Sequence, residues 1–263
     1  MNNFQELTDF LDKYYVKYTI HSDCVEVEGD LWLNHNNLTS LPESFGNLKI
    51  GGNLWLNGNK LKYLPKSFGN LKIGKQLLLR NNNLTSLPES FGNLKINGNL
   101  WLDGNKLEYL PKSFGNLKIG FDLWLDNNNL TSLPESFGNL KIGGGLWLNN
   151  NQLTSLPESF GNLKIGGDLS LTNNKLTSLP KSFGNLKIGG DLWLTSLHNL
   201  RSLPESFDDI DVKGDIYMGL ITRIICNCQK RNRHKLKKQE AKLETKRKKQ
   251  EAEKPKKKQK NSE

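Results

Sequence analysis

Cysteine is scarce in this chain, and long apolar runs are missing from it. Among the 263 residues there are three cysteines, Cys24, Cys226 and Cys228, too few for the disulfide framework that stabilises many small secreted domains. The N-terminal residues show no basic region followed by an apolar run, so no secretory signal is expected. No stretch approaches the roughly 20 apolar residues that a membrane-spanning helix needs. We therefore expect an intracellular protein, in the cytoplasm or in the nucleus.

Residue patterns typical of catalysis and of metal binding are also missing. The histidines are scattered, at His21, His35, His198 and His234. None of them is spaced to act as the base of a nucleophile, and the glycines recur with a repeat, so no phosphate-binding loop is indicated. Cys226 and Cys228 have no second cysteine pair, and His234 alone does not complete a zinc site. We expect a non-enzymatic protein with no cofactor and no small-molecule substrate.

What the chain has in abundance is repetition, because a unit of 23 residues recurs eight times. One copy contains Leu54-Trp55-Leu56-Asn57-Gly58-Asn59-Lys60-Leu61 and then Leu64-Pro65-Lys66-Ser67-Phe68-Gly69-Asn70-Leu71-Lys72-Ile73. The same frame begins at Leu31, Leu54, Leu77, Leu100, Leu123, Leu146, Leu169 and Leu192, and again, after a one-residue slip, at Ile216. A fixed period of this size predicts a solenoid. A solenoid offers a long surface and not a pocket, which favours binding over catalysis.

Each unit is predicted to form one coil with a short strand. Alternation along Leu54-Trp55-Leu56 directs the two leucines inward and the tryptophan outward. The interior of this unit is predicted to be Leu54, Leu56, Leu61, Leu64, Phe68, Leu71 and Ile73. A buried spine is expected from Phe45, Phe68, Phe91, Phe114, Phe137, Phe160, Phe183 and Phe207. Main-chain groups between coils need partners, and these are expected to be Asn36, Asn59, Asn82, Asn105, Asn128, Asn151 and Asn174.

These residues resemble the leucine-rich repeat family. Its pattern L-x-x-L-x-L-x-x-N-x-L is met from the second leucine onward, as in Leu100-Trp101-Leu102-Asp103-Gly104-Asn105-Lys106-Leu107. Glycine or asparagine replaces the first leucine. The resemblance covers about residues 22–222 and implies an α/β-type solenoid, a horseshoe with a parallel concave sheet that serves mainly protein recognition. The wording Leu-Pro-Glu-Ser-Phe-Gly-Asn-Leu-Lys-Ile-Gly-Gly also resembles repeat proteins of mimivirus-type giant DNA viruses.

Three domains are predicted from these boundaries. Solenoid ends expose apolar surface and need caps, and residues 3–17 have the pattern of an amphipathic helix. We assign residues 1–28 to an N-terminal helical cap and residues 29–222 to the solenoid of eight repeats and a partial ninth. Residues 223–263 form a basic tail, disordered or helical.

All six tryptophans occupy the outward position between the strand leucines: Trp32, Trp55, Trp101, Trp124, Trp147 and Trp193. The other units have Leu78, Ser170 and Tyr217 there. Because neighbouring strands lie roughly 4.8 Å apart, the rings are expected to form a nearly continuous ladder on the concave face. The ladder, with Arg80, Asp103 and Asp126 beside it, is the predicted site for a protein partner.

Two interpretations of this tryptophan row stay open. Tryptophan is enriched in binding hot spots, and an exposed apolar stripe calls for an explanation, which favours docking of a protein, an extended peptide or, as a weaker variant, a sugar. Alternatively, the rings stack on one another and only stabilise the sheet. Copying of a 46-residue pair of repeats would duplicate the tryptophan in either case.

The excess positive charge is concentrated at the C-terminal end. The chain has a net charge of +10, and residues 229–263 contain 16 basic and 5 acidic residues, which leaves 37 − 16 = 21 basic and 27 − 5 = 22 acidic residues elsewhere. Electrostatic arguments are therefore predicted to concern the tail alone. Its basic clusters are Lys230, Arg231, Arg233, Lys246, Arg247, Lys248, Lys249, Lys256, Lys257 and Lys258. They fit nucleic acid, an anionic membrane or no specific partner.

Overall fold

The computed structural model describes residues 4–220 and 223–226. The chain divides into two compact units, Met1–Thr222 and Arg223–Glu263. Of the second unit the structure describes residues 223–226, which are helical, so the basic clusters of the predicted tail lie outside the described residues. The described residues of the first unit, 4–220, form an N-terminal helix, nineteen strands and eight short 3-10 helices.

One strand of every coil joins a nine-stranded parallel sheet, here called the Trp sheet. Equivalent residues face each other across it, so that Leu123 pairs with Leu146 and Trp124 with Trp147. Its strands are β3 Leu31–Trp32, β5 Leu54–Trp55, β7 Leu77–Leu78, β9 Leu100–Trp101, β11 Leu123–Trp124, β13 Leu146–Trp147, β15 Leu169–Ser170, β17 Leu192–Leu194 and β19 Ile216–Met218. The predicted ninth strand at Ile216 is confirmed.

A second strand of each coil comes just before the Trp-sheet strand, and these strands form two further sheets. The first contains β1 Thr19–Ile20, β2 Val25–Val27, β4 Leu48–Ile50 and β6 Lys72–Ile73, with only the β1–β2 pair antiparallel. The second contains β8 Lys95–Ile96, β10 Lys118–Ile119, β12 Lys141–Ile142, β14 Lys164–Ile165, β16 Lys187–Ile188 and β18 Asp211–Val212. The isoleucine of each repeated strand faces the interior, and the lysine before it faces solvent.

The remaining side of each coil is a 3-10 helix that begins after the repeated proline. These helices are Glu43–Asn47, Lys66–Asn70, Glu89–Asn93, Lys112–Asn116, Glu135–Asn139, Glu158–Asn162, Lys181–Asn185 and Glu205–Asp209. Neighbouring helices approach so closely that a Cβ on Gly69 would lie 1.8 Å from the carbonyl oxygen of Ser90. Ser90 Oγ accepts the amide of Gly69 at 3.2 Å and donates to the carbonyl of Lys66 at 2.6 Å. Only glycine permits this contact.

The predicted phenylalanine spine is confirmed. Phe114 is fully buried, and its ring lies 6.2 Å from that of Phe91 and 6.1 Å from that of Phe137, with interplanar angles of 2° and 3°. The leucines and isoleucine predicted for the interior of the second unit are likewise buried. Each coil therefore buries its apolar side chains against the coil before and the coil after it.

The asparagine ladder is confirmed from the second coil onward. Asn105 donates to the carbonyls of Leu79 and Leu102 at 3.0 Å each and accepts the amide of Leu84 at 3.1 Å. Asn36 is the exception, because it lies in the first coil and has no earlier coil to bind. It is exposed, and its amide reaches the nearby carbonyl of Asn34 at 3.3 Å.

The N-terminal helix is shorter than predicted. The predicted bounds were residues 3–17, whereas α1 spans Gln5–Lys13. The chain turns at Tyr15, whose φ of 56° is incompatible with a continuing helix. The helix buries Leu7 and Leu11, and the ring of Phe10 lies 5.9 Å from that of Phe45 in an edge-to-face contact.

Candidate functional site

The outward side of the Trp sheet carries three rows of side chains and is here called the Trp face. The central row is formed by the outward residue of each strand, because the flanking leucines are buried. A second row, from Asp30 to Asp215, precedes the strands, and a third, from Asn34 to Thr195, follows them. Trp32, at the N-terminal edge, is 57% exposed, and the other five tryptophans are half-buried.

The central row forms three separate stacks, so the prediction of a nearly continuous ladder is wrong. Trp32 and Trp55 stack at 4.5 Å between ring centroids. A triple stack joins Trp101, Trp124 and Trp147 at 4.8 Å per step, and a last stack pairs Trp193 with Tyr217 at 3.9 Å. The breaks lie at Leu78 and Ser170, which have no ring and are both buried.

The row that precedes the strands joins one coil to the next. Oδ1 of Asp30 accepts the amide of Asn53 at 2.7 Å, and Oδ1 of Asp122 accepts the amide of Gly145 at 2.7 Å. The hydrogen bond from the Asn53 amide is the main reason why the pKa of Asp30 lies below its ordinary value. Asp30 Oδ2 also accepts the indole N–H of Trp55 at 3.3 Å. Sequence reasoning missed this structural role.

The row that follows the strands contains the charged residues predicted for the site. Arg80 Nη2 lies 3.2 Å from Asp103 Oδ2, and the guanidinium carbon lies 5.1 Å from the centre of the Trp101 ring. Asp103 is 5% exposed and Asp126, on the next coil, is 8% exposed. Burial raises the pKa of both carboxyls, and for Asp126 the neighbouring charge of Asp103 raises it further.

Several buried polar atoms of the Trp face have no hydrogen-bond partner. Among the described residues, the buried side-chain atoms without a hydrogen-bond partner are Asn57 Oδ1, Arg80 Nε, Asp103 Oδ1, Asp126 Oδ1 and the indole nitrogens of Trp124, Trp147 and Trp193. All seven belong to the Trp face, and four come from successive coils of one row. Buried polar groups in native proteins are nearly always paired, so this cluster sets the Trp face apart from the other described surfaces.

The charges of the first unit are sorted between two surfaces. The Trp-face rows contain one arginine, Arg80, and seven aspartates, Asp30, Asp103, Asp122, Asp126, Asp168, Asp191 and Asp215. On the other sheets an exposed lysine row runs through Lys49, Lys72, Lys95, Lys118, Lys141, Lys164 and Lys187. The expectation that electrostatics concern the tail alone is therefore wrong, because the near-zero sum for the repeats hides this separation.

No metal-binding cluster emerges among residues 4–220 and 223–226. Within these ranges no three acidic, histidine or cysteine side chains are grouped to hold a metal ion. His21 contacts Glu26 at 2.8 Å in an exposed pair. Cys24 and Cys226 are free thiols. None of the helices in the described part of the chain has the length and apolar character that crossing a bilayer requires.

Comparisons with known proteins identify the repeats. Five segments match the Leucine Rich Repeat family model, at residues 30–48, 75–94, 122–140, 145–163 and 168–186. A leucine-rich-repeat protein of Leptospira interrogans is 30% identical with a TM-score of 0.52, over 72% of this chain and 54% of that one. The leucine-rich effector YopM of Yersinia pestis is 28% identical with a TM-score of 0.50, over 82% of this chain and 52% of that one. No curated protein sequence matches.

A third solved structure supports the fold alone. The leucine-rich-repeat domain of a Shigella effector is 23% identical with a TM-score of 0.52, over 82% of this chain and 86% of that domain. This chain spans only about half the length of the Leptospira and Yersinia proteins. The matched segments and the parallel sheets confirm the predicted fold class, a leucine-rich-repeat solenoid.

Proposed function

We propose that this leucine-rich-repeat solenoid is a non-enzymatic protein-interaction module whose Trp face binds a protein partner. The observation that carries the proposal is the position of the seven unpartnered buried polar atoms, all of them on that face. Three of these atoms are indole N–H donors at the edges of aromatic stacks. A partner that covers these half-buried rings would meet aromatic surface of the kind typical of binding hot spots.

Leucine-rich-repeat domains generally act in protein–protein interaction, which supports this class of function. Variation among the coils supports the choice of face. The row after the strands changes along the chain, through Asn34, Asn57, Arg80, Asp103, Asp126, Asn149, Thr172 and Thr195. A partner that meets this row finds a different side chain at most coils, so it can bind in only one register. The intracellular location and the likeness to giant-virus repeats stay predictions.

The test uses the full chain and two matched variants. In the first, Trp101, Trp124 and Trp147 are replaced by leucine, the residue that the repeat itself has at Leu78. In the second, Lys95, Lys118 and Lys141 of the same three coils are replaced by glutamine. Each protein is immobilised, exposed to cell extract, and the captured proteins are identified by mass spectrometry after circular dichroism has shown that all three are folded.

We expect one set of proteins to be captured by the wild type and by the lysine variant but not by the tryptophan variant. Capture of the same set by all three proteins would contradict the proposal. In that case the stacks serve only to stabilise the sheet, which is the alternative interpretation of the tryptophan row.

A second candidate function is association with nucleic acid or with an anionic membrane. The exposed lysine row favours it, and so do the 16 basic residues of the predicted tail. Binding of single-stranded RNA and of phosphatidylserine vesicles is measured at low and high salt for the full chain and for a chain ending at residue 228. Salt-sensitive binding that disappears with the tail supports this function, and binding that is absent from the full chain excludes it.

A further inference from the structure

Arg80 shows how the Trp face holds a cation. Its guanidinium lies 3.2 Å from the carboxylate of Asp103 and 5.1 Å from the centre of the Trp101 ring. Both contacts come from the coil after its own. A cation near an aromatic face and beside a buried carboxylate is stabilised by both groups.

One coil further on, the carboxylate and the rings recur without a cation. Asp126 is more than nine-tenths buried, and its Oδ1 has no hydrogen-bond partner. Its Oδ2 accepts the side-chain amide of Asn127. The rings of Trp124, on the same coil, and Trp147, on the next coil, stack on each other at 4.8 Å. Asp103 receives its cation from Arg80, which lies one coil earlier in the same row. The residue one coil before Asp126 in that row is Asp103, which is an acid and not a cation.

Two buried carboxylates therefore share one guanidinium. A buried ionised carboxylate without a close counterion is costly, whereas a paired one is tolerated. An incoming ammonium or guanidinium group would supply the missing counterion. Asp126 thus lacks the close cation that Asp103 has in Arg80.

The surroundings would attract the same kind of group. The rows of the Trp face contain seven aspartates and one arginine. At the N-terminal edge the face continues into a cavity of about 500 Å³, whose lining includes Tyr15, Tyr18, Glu28, Asp30 and Trp32. Its lining contains three carboxylates, one lysine and several aromatic side chains, so acidic groups outnumber basic ones there. Charge complementarity therefore favours a basic partner.

We infer that the Trp face recognises a lysine or arginine side chain of its protein partner, whose positive charge pairs with Asp126 as that of Arg80 pairs with Asp103. This inference rests on the proposed function, because it names the partner chemistry of the same face.

The experiment uses an array of extended peptides that share a set of varied flanking sequences and differ at the central residue, which is arginine, lysine, citrulline or glutamate. Citrulline has the shape of arginine without its charge. The full chain is compared with three variants. Asp126→Asn removes the proposed counterion and introduces the residue that the repeat has at Asn57 and Asn149. Asp211→Asn makes the same charge change on another sheet, and Trp124→Leu removes a ring.

We expect the wild type and Asp211→Asn to retain arginine and lysine peptides about tenfold better than their citrulline counterparts. Asp126→Asn should retain the three kinds of peptide equally. Equal effects of Asp126→Asn and Asp211→Asn would overturn the inference, because they would reveal a general charge effect.

The outcomes also separate this inference from the proposed function. If the wild type retains arginine and citrulline peptides equally and Trp124→Leu retains neither, the face binds peptides and the inference is wrong. If no peptide is retained better by the wild type than by Trp124→Leu, both proposals fail.

Discussion

The Trp face and the lysine row are built by the same coils, yet one varies from coil to coil and the other is constant. The lysine row repeats one residue from Lys49 to Lys187. The Trp face changes its outward residues from coil to coil and breaks its own aromatic row at Leu78 and Ser170. Both have the same interior behind them, so the difference does not come from packing.

The lysine row is electrostatically simple. Like charges that lie opposite each other in a sheet repel, and acidic residues flank this row at its two ends. Glu26 pairs with Lys49 at 2.7 Å, and Asp211 lies across from Lys187 in the sheet register. None of the unpartnered buried side-chain atoms of the described residues belongs to this row.

The comparison shows that the lysine row looks the same at every coil, whereas the Trp face differs from one coil to another. A partner sliding along the lysine row meets the same chemistry at every step. A partner on the Trp face meets Arg80, Asp103 and Asp126 at one place only. Specific recognition therefore requires the varied face, and the lysine row can contribute only attraction that is independent of register.

The largest expected effect is a loss of stability that involves both surfaces, because they share one core. Phe114→Ala removes a fully buried ring from the spine between the sheets, and we expect a loss of about 3–5 kcal/mol in the free energy of unfolding. Urea unfolding is followed by tryptophan fluorescence and by circular dichroism. Lys118→Ala on the same coil is the control, and a loss for Phe114→Ala no greater than for that control would refute a shared core.

The next effect is confined to the Trp face. Trp124→Leu removes two stacking contacts at 4.8 Å, whereas Trp32→Leu removes one contact of a ring that is 57% exposed. We expect Trp124→Leu to cost about 1–3 kcal/mol of unfolding free energy and Trp32→Leu less than about 1 kcal/mol. Equal losses in thermal or urea unfolding would mean that stacking contributes nothing to the sheet.

A smaller effect is a gain in stability, in contrast to the two losses above, and it depends on pH. Burial, and then the charge of Asp103, raises the pKa of Asp126 above the ordinary value of an aspartate. A raised carboxyl pKa means that the ionised form destabilises the fold at neutral pH, and that this penalty disappears as the pH falls through the folded-state pKa. Asp126→Asn should therefore be more stable than the wild type near neutral pH, by about 1 kcal/mol.

That advantage should shrink as the pH falls through the raised pKa of Asp126, because the wild-type carboxyl then becomes neutral as well. Urea midpoints of both proteins between about pH 7 and about pH 4 test this. A variant that is less stable than the wild type at neutral pH would show that Arg80 already compensates both carboxylates.

The smallest effect sharpens the contrast on the other surface. Replacing Lys95, Lys118 and Lys141 with glutamine removes like charges from the middle of the lysine row. We expect the melting temperature to rise by about 1–2 °C at low salt, because repulsion across the sheet is relieved. The gain should vanish at high salt, where exposed charges are screened. A fall at low salt would mean that the lysine stems stabilise the sheet.

The sequence predicts the features that depend on repeated positions. The solenoid fold, the phenylalanine spine and the asparagine ladder each follow from one residue type that recurs at one position of the repeat. Coils that stack in register place equivalent residues next to each other. Asn105 is an example, since its partners Leu79, Leu84 and Leu102 are themselves repeated.

Features that depend on departures from the repeat were missed. The end of α1 depends on the positive φ of Tyr15, a local event outside the repeat. The separation of charge could be found only once the outward positions were known, because a sum over the chain mixes the two surfaces. The unpartnered atoms beside Asp103 and Asp126 depend on which side chain each neighbouring coil supplies. The candidate residues were predicted, and their shortage of hydrogen-bond partners was not.

The close approach of neighbouring 3-10 helices at Gly69 and Ser90 has a consequence for how this molecule can change. The donor and acceptor groups that one coil offers to the next are the same at nearly every step, so a whole unit can be gained or lost by duplication or deletion without creating a new kind of interface. The length of the protein is therefore adjustable in whole coils, each adding about 4.8 Å to the Trp face. An added coil would make the same contacts with its neighbours as the existing coils do.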